Sequence, residues 1–450
     1  MTQSRDVYTT DIPYLRDFKP MLAPAWLDHV ALVGGIEPPD RDSGFTWCDL
    51  GCGQGVTAAI LAATHPNGEF FGVDAMAVHT DHGGRLASAA AIPNVRFHAA
   101  DFAAAIELGL PQFDYIVAHG VYSWIDRASQ SALLRFIDRR LKPSGLVYLS
   151  YNTLPGWLRD LPFQRLVQEL NRIFSGDSAA RFTAAAKIAR ALADAGVPAL
   201  ADSFIVKELK ERPEDYKSAY LVHEFMPAAW RPLWVTEVRT AMAPIGLEPV
   251  GSATLSENLD WMVLDEPARE TLAAITDAGA AELVRDFYLD QRLRCDVFAR
   301  GNRRVDRGER AERLLASAFA LARPLCEIRY RTLTSAGPLS YDSPAARAII
   351  ATVAAAPRSL TAGTRDLKAL LTLCAAGDLM PVEPGNVPVH ALNRILCSRA
   401  GAPEEIGWLA LPCGTAVAAD RGLLRLLRDG NQIDEVRFPG WAGFLASHGL

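Results

Sequence analysis

A chain of 450 residues, half of them hydrophobic and 22% charged, holds enough apolar material for two or three globular domains, which excludes a disordered or fibrous protein. Its formal net charge of −6 argues against broad, nonspecific nucleic-acid binding. The seven cysteines (Cys48, Cys52, Cys295, Cys326, Cys374, Cys397, Cys413) are odd in number and scattered, with no Cys-x-x-Cys pair and no metal-ligand spacing, so the expectation is a reducing cytoplasm and no metal. Met1 to Thr10 is polar and lacks an apolar signal core, and no stretch approaches the ~18–20 apolar residues of a membrane span. The chain therefore reads as soluble, cytoplasmic and not exported.

Residues 1–24 carry Tyr8, Tyr14 and a series of prolines, which favour an extended arm over a helix. Such an arm either packs on the core through its aromatics or serves as a lid whose tyrosines close over a ligand. A helix over Trp26 to Val33 is stopped by Gly34-Gly35. The run Trp47-Cys48-Asp49-Leu50-Gly51-Cys52-Gly53-Gln54-Gly55 then reads as a strand entering a glycine-rich turn and a helix N-terminus. Glycines there let the backbone approach a ligand closely.

Strands are predicted at Phe45–Leu50, Glu69–Val73, Val95–His98, Phe113–Ala118 and Leu146–Tyr151, with helices near 56–64, 77–91, 102–108 and 129–141. Strand alternating with helix predicts a parallel sheet covered on both faces. Asp49, Asp74, Asp101-Phe102, His119-Gly120 and Asn152 fall at the strand ends, where such sheets bind ligands. The spacing of Asp74 from the turn suits a carboxylate that accepts hydrogen bonds from ribose hydroxyls. Gly53-x-Gly55-x-x-Ala58 also fits the loose dinucleotide pattern, so charge decides the ligand. No Lys or Arg occurs between Arg41 and Arg85, whereas Asp42, Asp49, Glu69, Asp74 and Asp81 do. A pyrophosphate is poorly placed there, while S-adenosylmethionine, with its sulfonium and ammonium, is well placed.

After Tyr151 the alternation stops. Phe163, Leu166, Val167, Leu170, Ile173 and Phe174 give a helix period, and Asp177 can cap a further helix to Ala195. Leu233 to Ile245 reads as helix, and 246–250 and Arg294–Ala299 read as strands that complete the sheet. The expected organisation is a cofactor-binding core over 1–160, a helical insertion over 161–228 acting as cover or dimer surface, completion of the sheet over 229–301, and a C-terminal domain over 302–450. Asn302 to Arg310 is the candidate linker. In the last region, helices at Ala346–Ala355 and Arg365–Ala376 and a wing strand at Leu379–Val382 are compatible with a winged-helix module. Its arginines are offset by acids, so DNA binding is not expected.

The stretches Asp49-Leu50-Gly51-Cys52-Gly53-Gln54-Gly55, Gly72-Val73-Asp74, Ala100-Asp101-Phe102 and Leu141-Lys142-Pro143-Ser144-Gly145 resemble the ordered motifs of class I S-adenosylmethionine-dependent methyltransferases, whose fold is a Rossmann-like α/β sheet. Residues 113–124 and 150–157 are similar to the bacterial subfamily carrying a methyltransferase regulatory domain, which includes the rickettsial outer-membrane-protein lysine methyltransferases. Tyr220-Leu221-Val222-His223-Glu224-Phe225 and residues 295–301 resemble that regulatory domain. The resemblance covers about 8–160 and 200–301. The sequence departs from the pattern at Ala75 to Gly84, where a normally regular helical region carries His79, His82 and Gly83-Gly84.

The resemblance implies that Gly51, Cys52, Gly53 and Gly55 line the cofactor, that Asp49 acts on its amino-acid end, and that Asp74 and the adjoining Ala75 hold the ribose. It implies that Asp101 accepts from the adenine amino group with Phe102 beside the ring, that His119 offers its carbonyl to the ammonium, and that Tyr8 closes from the arm. Asp101 as a helix cap and His119 as a packed core side chain are the plainer readings. Asn152, Tyr122 and Tyr151 are the candidates for acceptor chemistry, with Asn152 holding an amine. His223 and Glu224 form an acid–base pair by composition alone. The expected function is N-methylation of protein lysine side chains. The alternatives are a small-molecule methyltransferase and a noncatalytic cofactor sensor, and the acid at 49 argues against a nicotinamide-dependent oxidoreductase. The acceptor is a protein or a small molecule, and the amphipathic insertion suits a homodimer.

Overall fold

The computed structural model describes residues 14–212, 218–383, 385, 387–403 and 405–450. Its centre is a seven-stranded sheet in the order β3-β2-β1-β4-β5-β7-β6, formed by β1 (Phe45–Leu50), β2 (Gly68–Asp74), β3 (Val95–Ala99), β4 (Phe113–Ala118), β5 (Leu141–Asn152), β6 (Glu248–Ser252) and β7 (Leu293–Ala299). The first five strands are parallel and β7 runs antiparallel between β5 and β6. Helix α1 (Pro24–Val33) precedes β1, and α2 (Val56–Thr64), α3 (Ala77–Ala89), α4 (Phe102–Glu107) and α5 (Arg127–Arg140) supply the crossovers.

The period of two sorts the strand residues between two cores. Trp47, Phe70, Tyr115 and Tyr148 face the α1–α2 side, while Cys48, Phe71, Ile116 and Val147 face the α4–α5 side. Helix starts are set by acids: Asp101 and Asp126 accept from Ala104 N and Ser129 N, each at 2.8 Å. At the other end of α5, Arg140 donates to the carbonyls of Ile106, Leu108 and Leu110.

β5 begins five residues before its predicted start. Leu141 already pairs with Phe113, and the register shift beside it absorbs the Pro143-Ser144-Gly145 turn signal as a bulge, with Ser144 at φ 62°. α3 runs unbroken through Gly83-Gly84. A Cβ at Gly83 would lie 2.8 Å from the Phe97 ring, so that glycine permits close packing rather than ending the helix.

The described residues between 161 and 225 build a separate helical layer from α6 (Leu161–Asn171), α7 (Ser178–Asp194), α8 (Pro198–Ala201), α9 (Phe204–Glu211) and α10 (Ser218–Phe225). Phe163, Phe182, Leu221, Val222, Phe225 and Trp230 form its core. Asp160, fully buried, anchors this layer to the sheet: it pairs with Arg292 Nη2 at 2.7 Å and accepts from Ser203 Oγ at 2.7 Å and Ile205 N at 3.1 Å. Arg292 in turn lies over Trp157 and Phe204, 4.3 and 4.6 Å from the ring centroids. Asp160→Ala leaves a half-buried guanidinium and two donors without their acceptor, and should cost roughly 3–5 kcal/mol. Urea denaturation checks this, and a loss under about 1 kcal/mol would mean that the apolar core alone anchors the layer.

The C-terminal region adds a three-stranded antiparallel sheet (Arg358–Ser359, Ala318–Leu321, Leu379–Val382) and two hairpins, 331–340 and 408–418. The expected wing strand Leu379–Val382 is buried along its length and pairs with the upstream Ala318–Leu321, so it is a core strand rather than an exposed wing. The expected linker is tied down at both halves: Val305 N donates to Gly35 O, Arg303 pairs with Glu37, and a helix starts at Arg307. The apolar core on the α1–α2 side continues into this region, which reaches the arm through Trp408 Nε1 donating to Asp17 Oδ1 at 2.7 Å.

Candidate active site

Strand order reverses between β1 and β4, and there the chain turns from β1 into α2. Gly51, Gly53 and Gly55 have φ of 83°, 51° and 71°, a region that L side chains enter only with strain. Their surroundings differ. A Cβ on Gly51 would lie 2.4 Å from Val121 Cγ2 and one on Gly55 2.6 Å from Phe97 Cε1, whereas one on Gly53 has the Tyr14 ring as its nearest neighbour at 3.8 Å. Internal packing therefore fixes Gly51 and Gly55, and among the described residues Gly53 is the member of the set whose face is open for a ligand. Cys52 lies in the same turn, its N–H donating to Val73 O.

Asp74 ends β2. Its Oδ2 accepts from Gly53 N at 2.9 Å, and its Oδ1 accepts from Met76 N at 2.9 Å and from His79 Nδ1 at 3.0 Å. His79 Nε2 accepts from Tyr14 N at 3.2 Å, so the ring proton sits on Nδ1 and the hydrogen bond runs toward the carboxylate. Three of roughly four lone-pair positions of Asp74 are thus filled within the protein, which leaves direct room for one hydroxyl rather than the expected two. Ala75 follows at the strand end. The sequence reading assigned no role to His79; its place five residues after Asp74, on the first turn of α3, was the available signal.

Asp49 is buried at the end of β1, and burial with the neighbouring Asp74 pushes its carboxyl up to about 8. Among the described residues no Lys or Arg pairs with either acid. Desolvation and mutual repulsion of these carboxyls are relieved by a cationic ligand and worsened by a pyrophosphate. The open face at Gly53 and the unpaired acid at Asp49 fit S-adenosylmethionine.

Asp101 spends Oδ1 on capping α4, and Phe102 is half-buried against the α4–α5 core. His119 stacks on Tyr148, whose hydroxyl lies 2.8 Å from Nδ1, and burial pushes the imidazole down to about 3. Its imidazole is thus held neutral against β5, half-buried. Tyr8 lies outside the described residues. The arm from Tyr14 onward crosses the glycine turn, with Gln54 Nε2 donating to Tyr14 O at 3.3 Å.

The acceptor candidates separate. Tyr151 donates to Asp296 at 2.6 Å within a buried network around Arg294, Glu282 and Asp286. Being next to Asn152 on a strand, it points to the opposite face. Tyr122 is buried, and the charges that act on its phenol are Arg231 and Glu237. Asn152 does meet a charged partner that its sequence neighbourhood did not indicate. Its Nδ2 donates to Glu224 Oε1 at 2.6 Å, and its N–H to Ser123 Oγ at 2.8 Å. Trp230 Nε1 also donates to Glu224 Oε1, at 3.3 Å. The Tyr14 ring, on the arm, meets His223 edge-on at 5.2 Å, so the arm, the end of β5 and α10 converge beside the glycine turn.

Comparison with known proteins matches residues 48–145 to a methyltransferase domain and residues 217–300 to a predicted methyltransferase regulatory domain. The chain thus carries the domain of an S-adenosylmethionine-dependent methyltransferase. The structure of PKMT2 from Rickettsia typhi in complex with AdoHcy has the same fold, with a TM-score of 0.71 at 20% identity over 93% of this chain and 88% of that one. An uncharacterized Synechocystis protein, sll1526, is 28% identical over 94% of this chain and 88% of its own length. An uncharacterized Rickettsia prowazekii protein, RP028, is 37% identical over 30% of this chain and 53% of its own.

In this methyltransferase the segment matched to a regulatory domain is not a detached module. It contains β6, β7 and the helix α11 (Val235–Met242), which complete and cover the sheet, as well as Glu224 beside Asn152. Among the described residues, no helix is long and apolar enough to cross a membrane.

Proposed function

We propose that this methyltransferase N-methylates lysine side chains of proteins. S-adenosylmethionine supplies the methyl group as an electrophile on a sulfonium sulfur, so the acceptor nitrogen needs alignment and a free lone pair more than further activation. In this reading Gly53 and Asp74 hold the nucleoside, Asp49 faces the cationic end, Asp101 and Phe102 border the base, and Asn152 orients the acceptor amine. The carrying observation is the buried Asn152 at the end of β5, its backbone held by Ser123 and its side-chain amide by Glu224. A polar amide and a carboxylate side by side suit a nitrogen with protons to share. The shared fold with Rickettsia typhi PKMT2, whose name and bound AdoHcy indicate a methyltransferase, supports a protein acceptor.

The test is transfer of tritiated methyl from S-adenosylmethionine to a recombinant rickettsial outer-membrane protein, to polylysine and to free alkylamines, with mass spectrometric location of the label. Label on protein lysine is the expected result. Label on small amines alone would replace the proposal by a small-molecule methyltransferase. Tight S-adenosylhomocysteine binding with no label on any acceptor would point instead to a cofactor sensor.

A further inference from the structure

We infer that Glu224, carried by the segment matched to the regulatory domain, is the group that receives the acceptor ammonium and takes its proton. The inference rests on the amine reading above and deepens it. A lysine side chain in water is overwhelmingly an ammonium ion, whose nitrogen has no lone pair to offer. The site must therefore bind a cation and release a proton from it before transfer.

The geometry provides for both. Glu224 is buried, and its two donors, Asn152 Nδ2 and Trp230 Nε1, both converge on Oε1. Among the described residues no donor is assigned to Oε2. Donation through Nδ2 also fixes the Asn152 amide so that Oδ1 presents its acceptor side away from Glu224 Oε1. Two acceptor oxygens on adjoining side chains, one of them on an anion, form a receptor for an N–H-rich cation. The arm closes the same region through Tyr14.

The charged and titratable groups around Glu224 are consistent with a base. Arg292 acts on it electrostatically from β7's start but is itself bound to Asp160, Tyr14 faces it from the arm, and His223 adjoins it on α10. Burial outweighs these influences and pushes the Glu224 carboxyl up to about 7, so the proton it accepts can be returned to water at neutral pH. The step balances: an N–H bond of the ammonium breaks, an O–H bond forms on Glu224, the electron pair stays on nitrogen as the nucleophilic lone pair, and no oxidant or reductant is involved.

The test compares the full-length wild type with Glu224→Gln and Glu224→Asp, using polylysine and n-hexylamine as acceptors. The Gln variant keeps an oxygen for Asn152 and Trp230 but loses the charge. S-adenosylhomocysteine affinity, measured by calorimetry, should stay within about threefold for both variants, which shows that the fold and nucleoside site are intact. For the wild type, kcat/KM should rise up to about pH 7 and then stay level toward the acceptor's own pKa near 10. For Glu224→Gln it should fall about 100-fold or more at pH 8 and climb close to tenfold per pH unit, because the variant must wait for free amine. Glu224→Asp should keep the level region at reduced rate. A Gln variant with wild-type rate and profile would overturn the role of Glu224 while leaving the amine reading in place. Wild-type protein that methylates neither amine at any pH would overturn both.

Discussion

Asp74→Ala is expected to weaken S-adenosylhomocysteine binding by about 10- to 100-fold, corresponding to the ~1.5–3 kcal/mol of a charge-assisted hydrogen bond to a carboxylate. The upper part of a two-bond estimate is not expected, because Gly53 N, Met76 N and His79 already occupy most of the carboxylate. Part of the loss arises indirectly, since the same carboxylate braces the Gly53 peptide and orders His79, which in turn holds Tyr14. Asp74→Asn separates the two contributions: one amide oxygen still accepts from a hydroxyl or a backbone N–H, but the other end becomes a donor facing a donor. Calorimetry with S-adenosylhomocysteine and NAD measures the effect. Unchanged affinity in the Ala variant would remove Asp74 from the nucleoside site. NAD binding to the wild type would contradict the charge argument that chose the cofactor.

The parts of the fold and site that were legible in the sequence share a physical property: their signals are local. Phe45–Leu50 and Phe113–Ala118 are short apolar runs bounded by turn residues, and both strands match end to end. β6 and β7 were placed from similar runs far along the chain, although nothing local fixes that β7 enters the sheet antiparallel between β5 and β6. A misreading arose where a local signal met a tertiary demand. Pro143-Ser144-Gly145 looks like a turn and is a bulge, because Leu141 and the later strand residues both pair with β4. Gly83, inside a helix that the sequence does predict, is a packing concession to Phe97.

The site shows the same division. Asp49, Asp74 and Asn152 could be singled out as candidates because strand ends in a parallel sheet gather on one edge. Tyr151 was grouped with Asn152 although successive strand residues face opposite ways, and its hydroxyl is committed to Asp296. The meeting of Tyr14, Asn152 and Glu224 had no sequence signature, because it joins three segments separated by most of the core and the whole helical layer. That layer also explains why a segment described as regulatory carries Glu224. The chain leaves β5, builds α6 to α10 through Asp160 and Arg292, and returns to the end of β5 before completing the sheet. The segment is thereby structurally inseparable from the site beside it.

Gly55→Ala and Gly53→Ala should fail in different ways, and the contrast tests what the glycine turn is for. At Gly55 a Cβ meets Phe97 Cε1 at 2.6 Å and the Gly83 backbone at 2.9 Å, at φ 71°. The Phe97 ring cannot retreat easily, because positions 72 and 83 are packed against it as well: a Cβ there would lie 2.6 and 2.8 Å from the same ring. Left-handed strain plus overpacking should therefore cost about 2–4 kcal/mol of stability, read as a lowered Tm, with weakened ligand binding following from the damaged turn. At Gly53 the added methyl has room, with 3.8 Å to the Tyr14 ring at φ 51°, so the stability cost should be only about 1–2 kcal/mol. Yet that methyl projects into the volume the ligand needs, and S-adenosylhomocysteine affinity should fall by at least about tenfold in a folded protein. Thermal melting and calorimetry on both variants read the two effects independently. A Gly53→Ala protein that binds S-adenosylhomocysteine normally would move the ligand off the open face of the turn. A Gly55→Ala protein of wild-type stability would mean that the Phe97 cluster yields, and that the third glycine serves the ligand after all.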